Sequence, residues 1–406
     1  MVLGGAFSAL AQRGQLPIRS NHSLQVKIDR HPKSVAGRLF ADQPLEPSLV
    51  ARPIDVLLEL SRVSAPRGLP EPLLSIHRGW TVLKYFGMFD LASPELRLSP
   101  AAATVMGNAR RMFSEELGIG FACRVARHYL DLRVPHPYTL RIQDVDSVEP
   151  GSAMDGYFAF VSARRPDYYL IVNRPDQIGR FQVHTLEAKG SISASTSLSQ
   201  LAKATHQLWS LRLNGEVPPG LACSTLLADR EVASSALVVD PTEELSPWSG
   251  VVEVTIEPEE IDIVPPEGPQ DLMSQDRDAS RVVSTSLRSS WLSLSRRAAD
   301  EQADAFWRSR IDEALLAYPA PPTRQVRAEI AGALALGSTA SAQTPDGTVS
   351  VFTGVLESVV DALRSGRSRD VLTAQAESTY FSRLGGEDDD FTSVGDDGAV
   401  LKVSVR

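Results

Sequence analysis

Cysteine and lysine are the residues this chain is short of. Its two cysteines, Cys123 and Cys223, are too few for a disulfide framework or a thiolate zinc site, and read as small buried apolar side chains. Only Lys27, Lys33, Lys84, Lys189, Lys203 and Lys402 are lysines among 41 basic residues, so a lysine beside other polar groups stands out. No apolar run approaches the roughly 20 residues that a membrane helix needs, which argues against a membrane-spanning chain. The N-terminus lacks a basic region before its mildly apolar stretch, which Gln12 and Arg13 interrupt, so a cytoplasmic location is expected. No P-loop and no G-x-S-x-G elbow occurs, and Gly118-Ile119-Gly120 lacks the remaining glycine and the strand-to-helix setting of a dinucleotide fingerprint. Positive charge is lacking too: the formal charge of −9 is the wrong sign for a protein that coats nucleic acid. The acidity is uneven, however. Residues 101–240 carry 14 Lys plus Arg against 14 Asp plus Glu, and much of the excess sits in the tail GGEDDDFTSVGDD.

What is present is an ordinary globular composition, 43% hydrophobic and 22% charged, over 406 residues, long enough for two or three structural units. Residues 1–100 read as mixed structure without evident chemistry, with a strand expected at Leu24–Ile28. A helical pattern begins at Ser99-Pro100 and continues after Gly107 to about Leu132. One face of it holds Met112, Glu116, Ile119, Cys123, Ala126 and Leu130, so Glu116 falls within an apolar stripe and Glu115 lies off it. Three β-like runs follow, Gly156–Ser162, Tyr168–Asn173 and Arg180–Lys189, joined by short turn-rich links as in an antiparallel meander. A helix is expected over Leu198–Leu213, then strands over Leu221–Leu227 and Ala236–Val239. Residues 241–270 are Pro- and Glu-rich and read as a domain edge or linker around a strand-like VVEVTI, residues 271–383 as mostly helical, and residues 384–406 as an acidic flexible tail.

Glu187-Ala188-Lys189 is the one place where a lysine has a carboxylate two residues before it. Positions two apart on a strand share a face, so Glu187 and Lys189 project together. Pro166-Asp167 precedes them, and a hairpin turning within RPDQIG at residue 177 puts Asp167 opposite Glu187. Directly opposed side chains lie about 4.5–5.5 Å apart at Cβ, close enough for two carboxylates to share a divalent cation. Hard oxygen donors suit Mg²⁺, which needs only one or two carboxylates. The ion lowers the pKa of a bound water, and a neighbouring lysine orients that water or stabilises charge on a phosphate. Asp155 is the alternative aspartate, but its hairpin to Glu187 would turn inside YYLIVN, where a turn is disfavoured. On the following helix, Gln200, Lys203 and Gln207 share an arc beside the apolar stripe of Leu201, Ala204, Leu208 and Leu211. Gln200 and Gln207 are candidates to position a water or a phosphate oxygen, and Lys203 is expected to face solvent. His128, His184 and His206 are not at metal-ligand spacings, and His184 points to the face opposite Glu187.

In these residues, Pro166-Asp167 followed by Glu187-Ala188-Lys189-Gly190, the chain resembles the PD-(D/E)xK nuclease superfamily. The resemblance covers roughly residues 110–240. It implies an α/β restriction-endonuclease-like core, α-β-β-β-α-β, with a mixed sheet flanked by helices, and leaves the mixed N-terminal and mostly helical C-terminal regions unexplained. It also implies that Asp167 and Glu187 ligate Mg²⁺, with Mn²⁺ as substitute, that Lys189 assists the attacking water, and that Glu116, with Glu115 as fallback, is a further metal ligand. The function so implied is a Mg²⁺-dependent DNA endonuclease, an effector in prokaryotic restriction or anti-phage defence, acting as a homo-oligomer or with a defence-system protein partner. The alternative is a catalytically silent protein of the same fold that serves as a nucleic-acid-binding or scaffold subunit. The acidic tail, with Glu387 to Asp390, Asp396 and Asp397, reads first as a solvated segment, the alternative being that it competes with DNA phosphates for arginines such as Arg164 and Arg165.

Overall fold

The computed structural model describes residues 3–33, 39–40, 45, 47–64, 71–90, 93–134, 137–145, 159–160, 165–213, 216–239, 252–262, 279–311, 325–388 and 391–405. The chain opens with α1 (Leu3–Ala11), β1 (Gly14–Arg19), α2 (His22–Asp29), β2 (Leu39–Phe40), β3 (Ser48–Ala51), α3 (Pro53–Val63), α4 (Glu71–Lys84), β4 (Phe89–Asp90), β5 (Arg97–Leu98) and α5 (Pro100–Ala103). The strand expected at Leu24–Ile28 is instead part of α2. Asn21 caps that helix by accepting the Leu24 N–H at 3.0 Å, and so short an apolar run cannot separate a period of two from one of 3.6.

The middle of the chain holds α6 (Gly107–Asp131), β6 (Thr139–Asp144), β7 (Ala159–Phe160), β8 (Tyr168–Asn173), β9 (Arg180–Ser191), α7 (Ala194–Leu208), β10 (Leu211–Arg212), β11 (Gly220–Ala228), β12 (Glu231–Val239) and β13 (Val252–Thr255). Ser99 caps α5 as expected, accepting the Ala102 N–H, and α6 follows from Gly107. The main sheet runs β3-β1-β12-β11-β9-β8-β6. Strands β6, β8 and β9 are antiparallel neighbours, whereas β11 lies parallel to β9 because α7 carries the chain back between them. The result is a mixed sheet flanked by helices.

Several boundaries differ from expectation. The strand beside β8 is Thr139–Asp144, not Gly156–Ser162; of the latter run only Ala159–Phe160 is described, paired with β10 outside the main sheet. Helix α7 starts and ends earlier than Leu198–Leu213, because Ser193 caps it by accepting the Thr196 N–H and Leu211–Arg212 leaves as a strand. Residues 1–100 are no separate unit, since β1 pairs in parallel with β12. Nor is the 241–270 stretch only a linker: β13 extends the sheet along β9, Val252 opposite Val183.

The remaining elements are α8 (Pro258–Ile261), α9 (Ala279–Arg297), α10 (Glu301–Arg308), β14 (Val326–Ile330), β15 (Ala333–Thr344), β16 (Gly347–Leu356), α11 (Glu357–Ser365), α12 (Ser368–Asp388), β17 (Thr392–Val394) and β18 (Ala399–Val405). Of the stretch 323–383 expected to be helical, the second half is so, in α11 and α12, whereas the first half forms β14, β15 and β16 of a five-stranded sheet, β14-β15-β16-β18-β17. Its signal was Pro345-Asp346-Gly347, a hairpin turn closed by the Thr344–Gly347 pair. The expected flexible tail is corrected as well, because β18 lies inside that sheet between β16 and β17. Asp396 and Asp397, in the turn joining β17 to β18, are each 4% exposed.

Two large cores hold these layers together. One packs α3 and α6 on one face of the main sheet, through residues such as Leu117, Phe121, Leu170 and Leu186. The other joins the opposite face, at Tyr169, Ile171 and Val183, to Trp291 and Trp307 of the C-terminal helices. Among the described residues no helix is long and apolar enough to cross a membrane.

Candidate active site

The hairpin of β8 and β9 has the register read from the sequence. Tyr168 pairs with Leu186 and Asn173 with Phe181, which brings Asp167 opposite Glu187 one step beyond the last ladder pair. The turn between them, a short 3₁₀ segment at Pro175–Gln177, closes at Gly179 with φ +90°, a conformation that glycine adopts without strain. At the open end the Asp167 N–H donates to Glu187 Oε2 at 2.7 Å. Asp167 Oδ2 accepts from the Ala188 N–H at 3.0 Å and from Lys189 Nζ at 3.2 Å, and Lys189 Nζ also closes on Glu187 Oε1. The three side chains thus form one cluster of two carboxylates and an ammonium.

Strand alternation decides what surrounds this cluster. Leu186 and Ala188 join α6 in the first core, and His184 packs edge-on against Tyr129 of the same helix. Glu187 and Lys189 therefore face the other way, toward α7, whose Leu201, Ala204 and Leu208 pack with Ala222, the residue beside Glu187 on β11. Glu116, on α6, is consequently on the wrong side of the sheet. Its carboxylate is taken by Lys84 at 2.7 Å and Tyr85 at 2.5 Å. Glu115 is exposed and lies 3.8 Å from Arg111. Neither joins Asp167 and Glu187: among the described residues no three His, Cys, Asp or Glu side chains form a group that could hold a metal. The expectation of Glu116 as a third ligand is corrected on that ground. Asp155 and Arg164 lie outside the described residues.

Of the two glutamines, Gln207 reaches the hairpin, its Nε2 donating at 2.8 Å to the carbonyl of Arg165, two residues before Asp167. It is a positioning residue for the segment that enters β8. Gln200, two turns earlier, keeps its Oε1 shielded from solvent with no hydrogen-bond partner among the described residues. Lys203 is exposed, as expected.

Burial sets the electrostatics. Glu187 is fully buried, and this, followed by the nearby charge of Asp167, pushes its carboxyl from 4.5 up to about 8, although Lys189 pulls the other way. Burial also opposes charge on Lys189, but Glu187 and Asp167 outweigh it and hold the ammonium above its usual range. At neutral pH the isolated cluster therefore keeps Lys189 charged and most of Glu187 protonated. His184 is pushed down to about 3 by burial and then by Arg133, and so is neutral wherever the protein works near pH 7.

Gly118 and Gly190 seat β9 against α6. A Cβ on Gly118 would meet the Gly190 backbone, and one on Gly190 would overlap the Ser114 carbonyl. Helix α6 and the end of β9 can touch only because both lack side chains. Gly190→Ala is expected to cost about 1–3 kcal/mol by forcing the backbones apart and to displace Lys189 with them. Urea unfolding checks the first effect, and an unaltered midpoint would show that the contact yields freely.

No protein-family model, curated protein or solved structure matches this chain. The function has to follow from the chemistry of the cluster. Two opposed hard-oxygen donors fit a small divalent cation better than any softer group.

Proposed function

We propose that the chain is a Mg²⁺-dependent DNA endonuclease with a restriction-endonuclease-like core, and that it acts in the cytoplasm. The observation that carries the reading is the opposition of Asp167 and Glu187 across a hairpin, with Lys189 on the same face. The order of elements supports it: α6, then β6, β8 and β9 antiparallel, then α7 and a parallel β11 is the α-β-β-β-α-β arrangement such a core requires. Asp167 and Glu187 would hold the ion, Mg²⁺ or its substitute Mn²⁺, which when bound supplies Lewis acidity toward a phosphodiester. Lys189, kept charged by the same carboxylates, orients the attacking water and steadies negative charge on the phosphate oxygen. Gln207 fixes the approach of the Asp167 segment. DNA rather than another phosphodiester is the substrate to which this kind of core is suited, and partner proteins of a restriction or anti-phage system are proposed on the same basis.

One observation favours a second reading. With no three-ligand group among the described residues, a catalytically silent subunit that binds nucleic acid without cutting it has a physical basis in weaker metal binding. Plasmid and single-stranded DNA incubated with Mg²⁺ or with EDTA separate the two readings. The wild type is expected to cut with Mg²⁺ alone, whereas Lys189→Ala and Asp167→Asn should each lose about 100-fold or more in rate with an unchanged circular dichroism spectrum. Binding without any Mg²⁺-dependent cleavage would select the silent subunit.

A further inference from the structure

The C-terminal sheet leaves part of one strand edge uncovered. Strand β14 pairs with β15 only from Ala333 to Gly337, while β16 follows β15 on its other side as far as Thr344. Residues 339–344 therefore have no strand on their outer side among the described residues. Proteins usually blunt such an edge with charge, proline or a bulge. Strand β14 is blunted in this way by Arg327 and Glu329, both exposed, but β15 holds no charged residue and no proline from Ala333 to Thr344.

An apolar helix face overhangs the same edge. Helix α4 lies across β15 and β16, so close that a Cβ on Gly79 would come within 2.6 Å of the Ala340 Cβ. With Gly79 marking the direction of the sheet and about 100° per residue, Leu74, Arg78 and Val82 fall on one flank of the helix. They are buried, on the side where α3 packs. Leu73, Ile76 and Trp80 fall on the opposite flank and are 49%, 60% and 60% exposed. Because α3 lies toward β17 and β18, that flank is turned to the uncovered edge of β15. Three large apolar side chains in one stripe differ from the scattered exposure of an ordinary surface.

A second copy of the chain matches both features. Antiparallel pairing of residues 339–344 with their counterparts across a two-fold axis continues the sheet from one copy into the next. Ala340 and Ala342 then lie on the helix side of the seam and leave room there, while Thr339, Ser341 and Gln343, all exposed, lie on the other side and can hydrogen-bond across it. With strands about 4.8 Å apart and α4 seated over β15 and β16, the two α4 axes come to about 10 Å, the spacing at which helices pack. Ile76 and Trp80 of each copy thereby close on those of the other. The paired strands bring no like charges together, and the exposed Asp346 of each turn arrives at the open end of the partner's β14, where Arg327 is 63% exposed. Edges and stripes together cover on the order of 1,000 Å², enough for a specific, reversible dimer.

We propose that the chain forms a two-fold dimer through the outer edge of β15 and the Leu73, Ile76 and Trp80 face of α4. This assignment does not rest on the nuclease reading. Sedimentation velocity of the full chain tests it, and the wild type is expected to pass from monomer to dimer in the micromolar range. Trp80→Glu should weaken association by about 100-fold. Its melting temperature, read at a dilution where the wild type is monomeric, should match the wild type, since the side chain is exposed. Met106→Glu, at an exposed apolar residue outside this stripe, should associate like the wild type. A short bismaleimide should cross-link Ser341→Cys to a dimer, because Cys123 and Cys223 are buried. A wild type that stays monomeric at about 100 µM, a dimer that survives Trp80→Glu, or one that leaves Ser341→Cys without a cross-link would each overturn the proposal. So would growth beyond a dimer, which a two-fold seam does not permit.

Discussion

Glu187→Gln is expected to abolish Mg²⁺-dependent cleavage and, at the same time, to make the protein more stable at alkaline pH. The folded carboxyl titrates at about 8 and the free one at 4.5. Between those values the unfolded chain is ionised while the folded chain still keeps its proton, so wild-type stability falls as pH rises through this window. Below pH 4.5 both states are protonated and the variant should match the wild type. Above pH 8 the full penalty is present, and glutamine, which carries none, should lead by on the order of 3 kcal/mol. Mg²⁺ should raise the melting temperature of the wild type but not of Glu187→Gln, and should do so more strongly at pH 8.5 than at pH 6, because binding must displace the proton. Retained cleavage by the variant would sink the assignment of this site. A stability gap that does not change with pH would sink the account of its electrostatics.

The second large effect is expected far from that cluster, in the turn that the sequence presented as solvated acid. Asp396 ties Arg127 of α6 to the C-terminal sheet, and Asp397 accepts from Arg62 of α3 at 2.5 Å. Burial alone would raise Glu59, but Arg127 and Arg62 outweigh it and hold its carboxyl below the usual range. Removing one member of such a buried network leaves the others uncompensated, so Asp396→Ala should cost about 3–5 kcal/mol. Exchanging Arg127 and Asp396 together for methionine should recover most of that loss. Urea unfolding of the two single variants and the double variant reads the coupling directly, and a loss below about 1 kcal/mol for Asp396→Ala would class the network with exposed pairs. Truncation after Arg383 removes β17 and β18 together. It should therefore unfold the C-terminal sheet rather than free arginines for DNA.

These two sites also mark how far the sequence could be read. The Asp167–Glu187 register was legible because a local turn, Pro175-Asp176-Gln177-Ile178-Gly179, fixes the pairing of strands on either side of it. Helix α6 was legible from its spacing, but the fate of Glu116 was not, since its partners Lys84 and Tyr85 come from α4 and no periodicity reports them. Strand β6 was hidden for a similar reason: Arg141 looks like a surface residue, yet it is buried against Gln375 of α12. Asp396 and Asp397 were misread by the same logic. A run of like charges reads as solvated until its counter-ions, Arg62 and Arg127, arrive from distant parts of the chain.

The alternation along β9 has a consequence for how such a protein can change over generations. Even-numbered positions from His184 to Gly190 answer to α6 and decide whether the strand sits in the sheet at all. Odd-numbered positions at Glu187 and Lys189 answer to the proposed chemistry. The two sets are interleaved in one short stretch yet face different neighbours, so drift in the packing residues need not pass through the reactive ones. Under the proposed function, a descendant could lose catalysis at a single odd position and keep its architecture intact, which would leave activity and foldability under separate selection within the same strand.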